Sequence, residues 1–262
     1  MNATTRSNDT TWTGMVQVED TALAVTDTGG NGTPVLYLNG SYATRKNWKK
    51  VIADLGPGFR HITFDERARG KSQTSADYSF EACVRDIDAV LAARGVRRAI
   101  LVGWSYGALV AVHWADRNPE RVIGVVSADG AMPFGLTSQE DLDRIRAMFQ
   151  KMGPMMPILR PLHLAARMSA DQHAEVNIEL NLLCAALAPV LERLTVPVRY
   201  VVANGANLGA TEAEMAAVRD SLTPCLAVNP NLTINAQVGS NHSKILSKDF
   251  HAVAEAVRAT VG

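Results

Sequence analysis

The sequence predicts an α/β fold: a mostly parallel central sheet with helices on both faces and a helical cap inserted late in the chain. Three observations predict it. Short apolar runs alternate with helical stretches over most of the 262 residues, the pattern of parallel strands joined by right-handed crossovers. Several runs, Ala99-Ile100-Leu101-Val102 above all, are continuously apolar, as strands covered on both faces are. The alternation breaks once, between 133 and 193, in a stretch rich in Met and Leu and punctuated by Pro154, Pro157 and Pro161.

The elements follow in order. Met15 to Val18 and Thr21 to Thr26 read as two short strands joined by a turn. After the loop of Gly29, Gly30, Gly32 and Pro34 comes an apolar strand, Val35 to Leu38, ending in Asn39-Gly40. Trp48 to Leu55 suits a helix and His61 to Phe64 a strand. From Phe80 to Arg94, Phe80, Val84, Ile87 and Leu91 recur at three or four, an amphipathic helix closed by Gly95. The Ala99 strand, a tight turn and an alanine-rich helix from Ala108 follow, stopped at Asn118-Pro119. Val122 to Ser127 is a further strand, ending at Asp129-Gly130. In the cap, Ser169 and Gln172 form a capping box that opens the longest helix. Strand Val198 to Val202, helix Thr211 to Leu222, strand Leu232 to Val238, a loop with His242 and a last helix from Lys248 to Val261 complete the chain. The domain reading is a flexible leader over 1–13, a core over 14–132 and 194–262, and the cap over 133–193.

Lysine plus arginine equals aspartate plus glutamate at 26 each, which argues against nucleic acid or an anionic membrane as the main partner. No apolar run is long enough to span a bilayer. The polar start lacks the apolar segment of a secretory signal, and the three cysteines, Cys83, Cys184 and Cys225, have no metal-ligand spacing. Free thiols in a cytoplasmic protein are the expectation, with no metal or organic cofactor.

The turn Gly103-Trp104-Ser105-Tyr106-Gly107 fits G-x-S-x-G, a strand-to-helix turn that aims a serine hydroxyl outward. Ser105 would stand at a helix N-terminus, where free N–H groups and the dipole favour developing negative charge. Three further features join it: Asn39-Gly40 after the third strand, Trp48 downstream, and the loop Asp65-Glu66-Arg67-Ala68-Arg69-Gly70-Lys71-Ser72. With the late His242, the chain resembles the α/β-hydrolases over nearly its whole length. Asn39 stands where that family usually has histidine, and Ala68 replaces a glycine of its D-x-R-G-x-G-x-S loop.

The resemblance implies a serine nucleophile, an acid and a histidine base, in that order. Of six histidines, His242 alone sits in a loop after the last strand, where the family keeps its base. The acid is open. The turn after the strand that follows the cap, Ala203 to Asn207, holds no carboxylate; Asn207 could only orient an imidazole. Glu212 and Glu214 read as the first turn of a helix, where acidic residues are favoured anyway. A minority of the family places the acid one strand earlier, where this chain has Asp129; a carboxylate at the end of an apolar strand needs a partner, and His242 is a reasonable one. Oxyanion stabilisation would come from the N–H groups of Tyr106 and Ser41, with Gly40 allowing close approach. Asp65 and Arg67 read as loop pins.

The cap's methionines suit a bulky hydrophobic small molecule, since methionine adapts to irregular apolar surfaces. Trp104, Met132, Phe134 and Met155, with Gly40, are the expected substrate contacts; the same apolar cap could equally form a homodimer contact. No basic cluster suggests phosphate or CoA. The expected activity is cleavage of a carboxylic ester or lactone through an acyl-enzyme. The serine counts against dehalogenase and epoxide hydrolase chemistry, which use a carboxylate nucleophile in this fold. The spacing from Ser105 to Asp129 and His242 loosely resembles zearalenone-type lactonases. The alternatives are C–C hydrolysis, peptidase action or acyl transfer on the same triad, and a ligand-binding module with little turnover.

Overall fold

A computed structural model describes residues 11–159, 166–206 and 211–262. It opens with an antiparallel hairpin, β1 (Trp12–Val18) and β2 (Thr21–Asp27), turned at Glu19 with φ 49°. Then come β3 (Thr33–Leu38), α1 (Lys49–Leu55), β4 (Phe59–Phe64), α2 (Phe80–Ala93), β5 (Ala99–Trp104), α3 (Tyr106–Arg117) and β6 (Val122–Ala128). A helical segment follows: α4 (Gln139–Met152), the single turn α5 (Met156–Leu159), α6 (Ala170–Ala185) and α7 (Ala188–Arg193). The chain ends with β7 (Val198–Ala203), α8 (Glu212–Asp220), α9 (Thr223–Val228), β8 (Leu232–Val238), α10 (Ile245–Lys248) and α11 (Phe250–Arg258).

All eight strands form one sheet in the order β1-β2-β4-β3-β5-β6-β7-β8. The hairpin joins the sheet antiparallel through β2 and β4, and every pair from β4 to β8 is parallel. Alternation along each strand decides which layer a residue enters. Leu36, Leu38, Leu101, Val125 and Val202 pack with α2, α3, α7 and α9, while Val35, Tyr37, Ile100, Val102 and Val201 pack with α1, α10 and α11. Both faces are therefore covered, which is why the central strands read as unbroken apolar runs. The strands end at one rim, where β5, β6 and the loop after β8 deliver Ser105, Asp129 and His242.

The observed boundaries depart from the sequence reading mainly near the C-terminus. The helix expected over Thr211 to Leu222 ends at Asp220, and a second helix begins at Thr223 because Pro224 suits a first turn. The last helix, expected from Lys248 to Val261, runs from Phe250 to Arg258 and is preceded by the short α10, from which Asp249 separates it. Both directions of the Ser169–Gln172 capping box are present. Cys83, Cys184 and Cys225 are free thiols. Among the described residues no helix is long and apolar enough to cross a membrane.

Asp65 and Arg67 do pin loops. Asp65 accepts from Arg45 N–H and Nη1 and from Lys71 N–H at 2.8–3.0 Å. The Arg67 side chain is fully buried, with Nε and Nη2 on Asp86 at 2.8–3.0 Å, Nη2 on Glu19 at 2.8 Å, and Nη1 on Ser75 Oγ and Asp77 O at 3.2 Å. It fastens the hairpin turn to α2. Ala68 adopts φ 63°, a left-handed backbone in which its methyl group is strained and the family's glycine would not be. Replacing Arg67 with Met leaves the Asp86 charge buried and unpaired; urea unfolding should show a loss of about 3–5 kcal/mol. Adding Asp86→Leu should recover a large part of that loss. Additive losses in the double variant would mean the pair is not coupled.

Candidate active site

The turn after β5 holds Ser105 at φ 55° and ψ −118°, an unfavourable backbone for a residue with a side chain. Its neighbours enforce it. A Cβ on Gly103 would lie 2.4 Å from the Ala108 backbone, and one on Gly107 would lie 2.2 Å from Leu38 O. Only glycine at both positions lets β5, α3 and the end of β3 approach this closely. Ser105 N–H is tied to Ala128 O at 3.2 Å, and Ser105 O accepts from Ala108 N–H at 3.0 Å. Ser105 is thus the N-cap of α3, with its side chain free to face the rim.

Asp129 directly follows β6 with φ 48°, a left-handed conformation that aspartate tolerates better than most residues. Its N–H is bonded to Val201 O at 2.8 Å and its Oδ1 accepts from Ala203 N–H at 2.9 Å. Its Oδ2 lies 2.7 Å from His242 Nδ1. The loop carrying His242 is braced against the end of β7: Gly205 N–H donates to Ser240 O at 2.9 Å, and Asn241 Nδ2 to Ala206 O at 3.2 Å. Trp104 sets its ring 5.7 Å from the imidazole at a tilt of 36° and donates Nε1–H to His242 O at 3.2 Å. One carboxylate oxygen is therefore fixed by a backbone amide while the other meets the imidazole.

Two cavities meet at Ser105 and His242. One, of about 310 Å³, is lined by Tyr106, Asp129, Met132, Phe134, Leu180, Cys184, Met215 and Val218, among others. The second, of about 630 Å³, is lined by Gly40, Ser41, Tyr42, Trp104 and Asn177, among others. Gly40, Trp104, Met132 and Phe134, all expected at the substrate, therefore line cavities that Ser105 also lines. Met155 is not: it stands in the turn after α4, 54% exposed, and lines neither cavity. Phe149 and Met156, on either side of that turn, take the inward positions instead. Ser41 and Tyr106 flank the serine from opposite cavities, and neither N–H has a protein partner among the described residues.

Of the other acid candidates, Glu212 is exposed at the start of α8. Glu214 lines the smaller cavity, but its Oε2 accepts from Thr211 N–H and Oγ1–H at 2.7 and 2.8 Å, and these bonds hold its carboxyl below the usual range. Asn207 lies outside the described residues. The remaining described histidines are engaged elsewhere. His61 meets Tyr37 Oη at 2.8 Å, His113 packs edge-on against Phe80, His173 stacks on Phe149, and His251 pairs with Asp54. Burial drives the His113 pKa down to about 4. His163 lies outside the described residues.

A buried network that sequence reasoning missed supports the Ser41 loop. Asn39 donates from N and Nδ2 to the two oxygens of Glu66 at 2.8 and 2.7 Å, and from Nδ2 to Phe64 O at 2.7 Å. Its Oδ1 accepts from Trp48 Nε1–H at 2.7 Å. Both polar atoms of the Asn39 side chain are used, so asparagine fits where histidine is usual. Burial raises the Glu66 carboxyl to about 7 against the pull of the Asn39 donors. The only advance signal was an acidic residue in a loop of charges, which ordinarily reads as solvated.

That shift has a sign. A carboxyl raised in the folded state holds its proton more tightly than the unfolded chain does. Its contribution to stability is full below pH 4.5 and drains away as pH rises towards 7, by about 3 kcal/mol. Urea midpoints between pH 5 and 8 should fall in the wild type by more than in Glu66→Gln. Parallel pH profiles for the two proteins would rule the effect out.

Comparison with known proteins agrees with this architecture. The family model for the alpha/beta hydrolase fold matches residues 33–245. The chain belongs to the alpha/beta hydrolase fold family. Among curated proteins, a haloalkane dehalogenase of Mesorhizobium japonicum is 32% identical over 120 residues, 45% of this chain and 39% of the relative. A pimeloyl-[acyl-carrier protein] methyl ester esterase of Pectobacterium carotovorum is 35% identical over 106 residues, 40% of each. The chain thus spans about two fifths of the length of these relatives. Among solved structures, the enol-lactonase of Burkholderia xenovorans LB400 superposes with a TM-score of 0.72 at 17% identity, covering 95% of this chain and 99% of that one.

Proposed function

We propose that the protein is a serine hydrolase that cleaves a carboxylic ester or lactone of a small, largely apolar molecule through an acyl-enzyme. The observation that carries this reading is the 2.7 Å contact between Asp129 Oδ2 and His242 Nδ1, with His242 and Ser105 on the same two cavities. A carboxylate held by Ala203 N–H keeps the proton on Nδ1 and assigns Nε2 the role of base. Ser105 Oγ attacks the substrate carbonyl as its proton passes to Nε2. The tetrahedral oxyanion rests against the N–H groups of Ser41 and Tyr106. Its collapse breaks the C–O bond, and the imidazolium returns the proton to the departing alcohol. Water, deprotonated by His242, then attacks the acyl-enzyme and releases the acid and Ser105.

The two cavities supply separate space for the acyl and alcohol parts, and their volumes suit small molecules. The esterase and enol-lactonase among the similar proteins favour oxygen esters over other bonds. A serine rather than a carboxylate at the turn weighs against halide displacement, despite the dehalogenase relative. The binding-only alternative rested on the missing carboxylate after β7, and the contact of Asp129 with His242 weighs against it. The test is covalent labelling with a fluorophosphonate, paired with hydrolysis of a panel of chromogenic esters and lactones. Labelling of Ser105 with turnover supports the proposal, and neither label nor turnover defeats it.

A further inference from the structure

The cavity of about 310 Å³ beside Ser105 has mostly apolar walls, yet Arg219 stands in them. Helix α8 carries Met215, Val218 and Arg219 at i, i+3 and i+4, so one face of the helix turns all three towards the cavity. Packing alone would favour an aliphatic side chain at the third position. Arg219 is half-buried and, among the described residues, has no salt bridge and no side-chain hydrogen bond. Surface arginines such as Arg193 and Arg258 do find carboxylates, Asp116 and Asp54. Glu214 shares the wall, but one of its oxygens is committed to the Thr211 cap, and Asp129 is committed to His242 and Ala203. The cavity therefore offers a planar fork of donors with no acceptor on it among the described residues.

We propose that Arg219 binds a carboxylate carried by the substrate, at the far end of an apolar spacer from the scissile carbonyl. The inference rests on the ester-hydrolase reading and sharpens it: the substrate is a half-ester or a carboxylated lactone rather than a wholly apolar ester. A guanidinium matches a carboxylate with two parallel N–H···O bonds. A single cation suits one carboxylate, whereas a diphosphate needs several. Met132, Met215 and Val218 line the path for the spacer. The competing role for Arg219 is purely structural, a cation at the C-terminal turn of α8, where the dipole favours it. That role changes stability and is indifferent to the charge of the ligand.

The probes are adipic acid monomethyl ester and its uncharged counterpart, methyl hexanoate. The wild type should prefer the anionic ester at least tenfold in kcat/KM. Arg219→Gln should lose at least tenfold on the anionic ester, mainly through KM, and keep its activity on methyl hexanoate; Arg219→Lys should retain an intermediate preference. Calorimetry reads the same contact without turnover: Ser105→Ala should bind the half-ester at least tenfold more tightly than Ser105→Ala/Arg219→Gln. No preference for the anionic ester, equal losses on both esters, or equal binding by the two Ser105→Ala proteins would overturn the proposal. Failure of the hydrolase reading would look different, as absent turnover and absent serine labelling with the binding difference intact.

Discussion

On the acyl-enzyme reading, replacing Ser105 with alanine should lower ester turnover by about 10⁶-fold and leave the fold in place. The loss is this large because the variant has no nucleophile, and a residual acceleration from oxyanion donors and binding is all that survives. Folding should be spared because the backbone at 105 is imposed from outside. The clashes that define the turn are those at Gly103 and Gly107, and the bonds that anchor residue 105 use its N–H and C=O. Alanine keeps all of these. The measurement is steady-state turnover on a p-nitrophenyl ester, with urea unfolding as the control. A Ser105→Ala protein of native stability that retains a tenth of the activity would end the acyl-enzyme account.

Asp129→Asn should cost about 10⁴-fold in kcat, and the structure gives a specific reason. The carboxylate makes two contacts, one with a fixed donor at Ala203 N–H and one with His242 Nδ1. An asparagine can keep the backbone contact only by giving its oxygen to Ala203. Its NH₂ group then faces the imidazole and donates to Nδ1, which moves the ring proton to Nε2. Nε2 is the atom that must accept from Ser105, so the base is blocked rather than merely weakened. Asp129→Ala, which imposes no tautomer, should be impaired comparably through loss of orientation and charge. Retention of more than a tenth of wild-type kcat by Asp129→Asn would place the functional acid elsewhere.

Much of this was legible because it is local. Buried strands announce themselves as Ala99 to Val102 or Val122 to Ser127, and the glycines at 103 and 107 mark a turn that little else can make. The sheet order is not local. Nothing in the runs at 33–38 and 59–64 says that β4 lies outside β3, next to the hairpin. Pro224 was visible, but whether it ends one helix or starts another depends on α9 packing against the sheet through Cys225. Glu66 and Asn39 lie 27 positions apart, so a charged loop residue could not be seen as a buried anchor until the fold paired them. Arg219 fell inside a helix read for its acidic first turn, and its stripe with Met215 had meaning only once a cavity lay beneath it. Met155 failed for the opposite reason: methionine density in the segment was read as inwardness, and half-exposed side chains contributed to that density.

The turn at residue 105 is specified almost wholly by its flanks. Gly103 and Gly107 set the approach, main-chain bonds hold the residue, and its side chain contributes nothing to keeping the shape. The position behaves as an interchangeable socket. A thiol, a carboxylate or a hydroxyl there would meet the same backbone, so the reactive group can differ while the turn stays the same. Kinship to dehalogenases and esterases alike is what such a socket would leave behind.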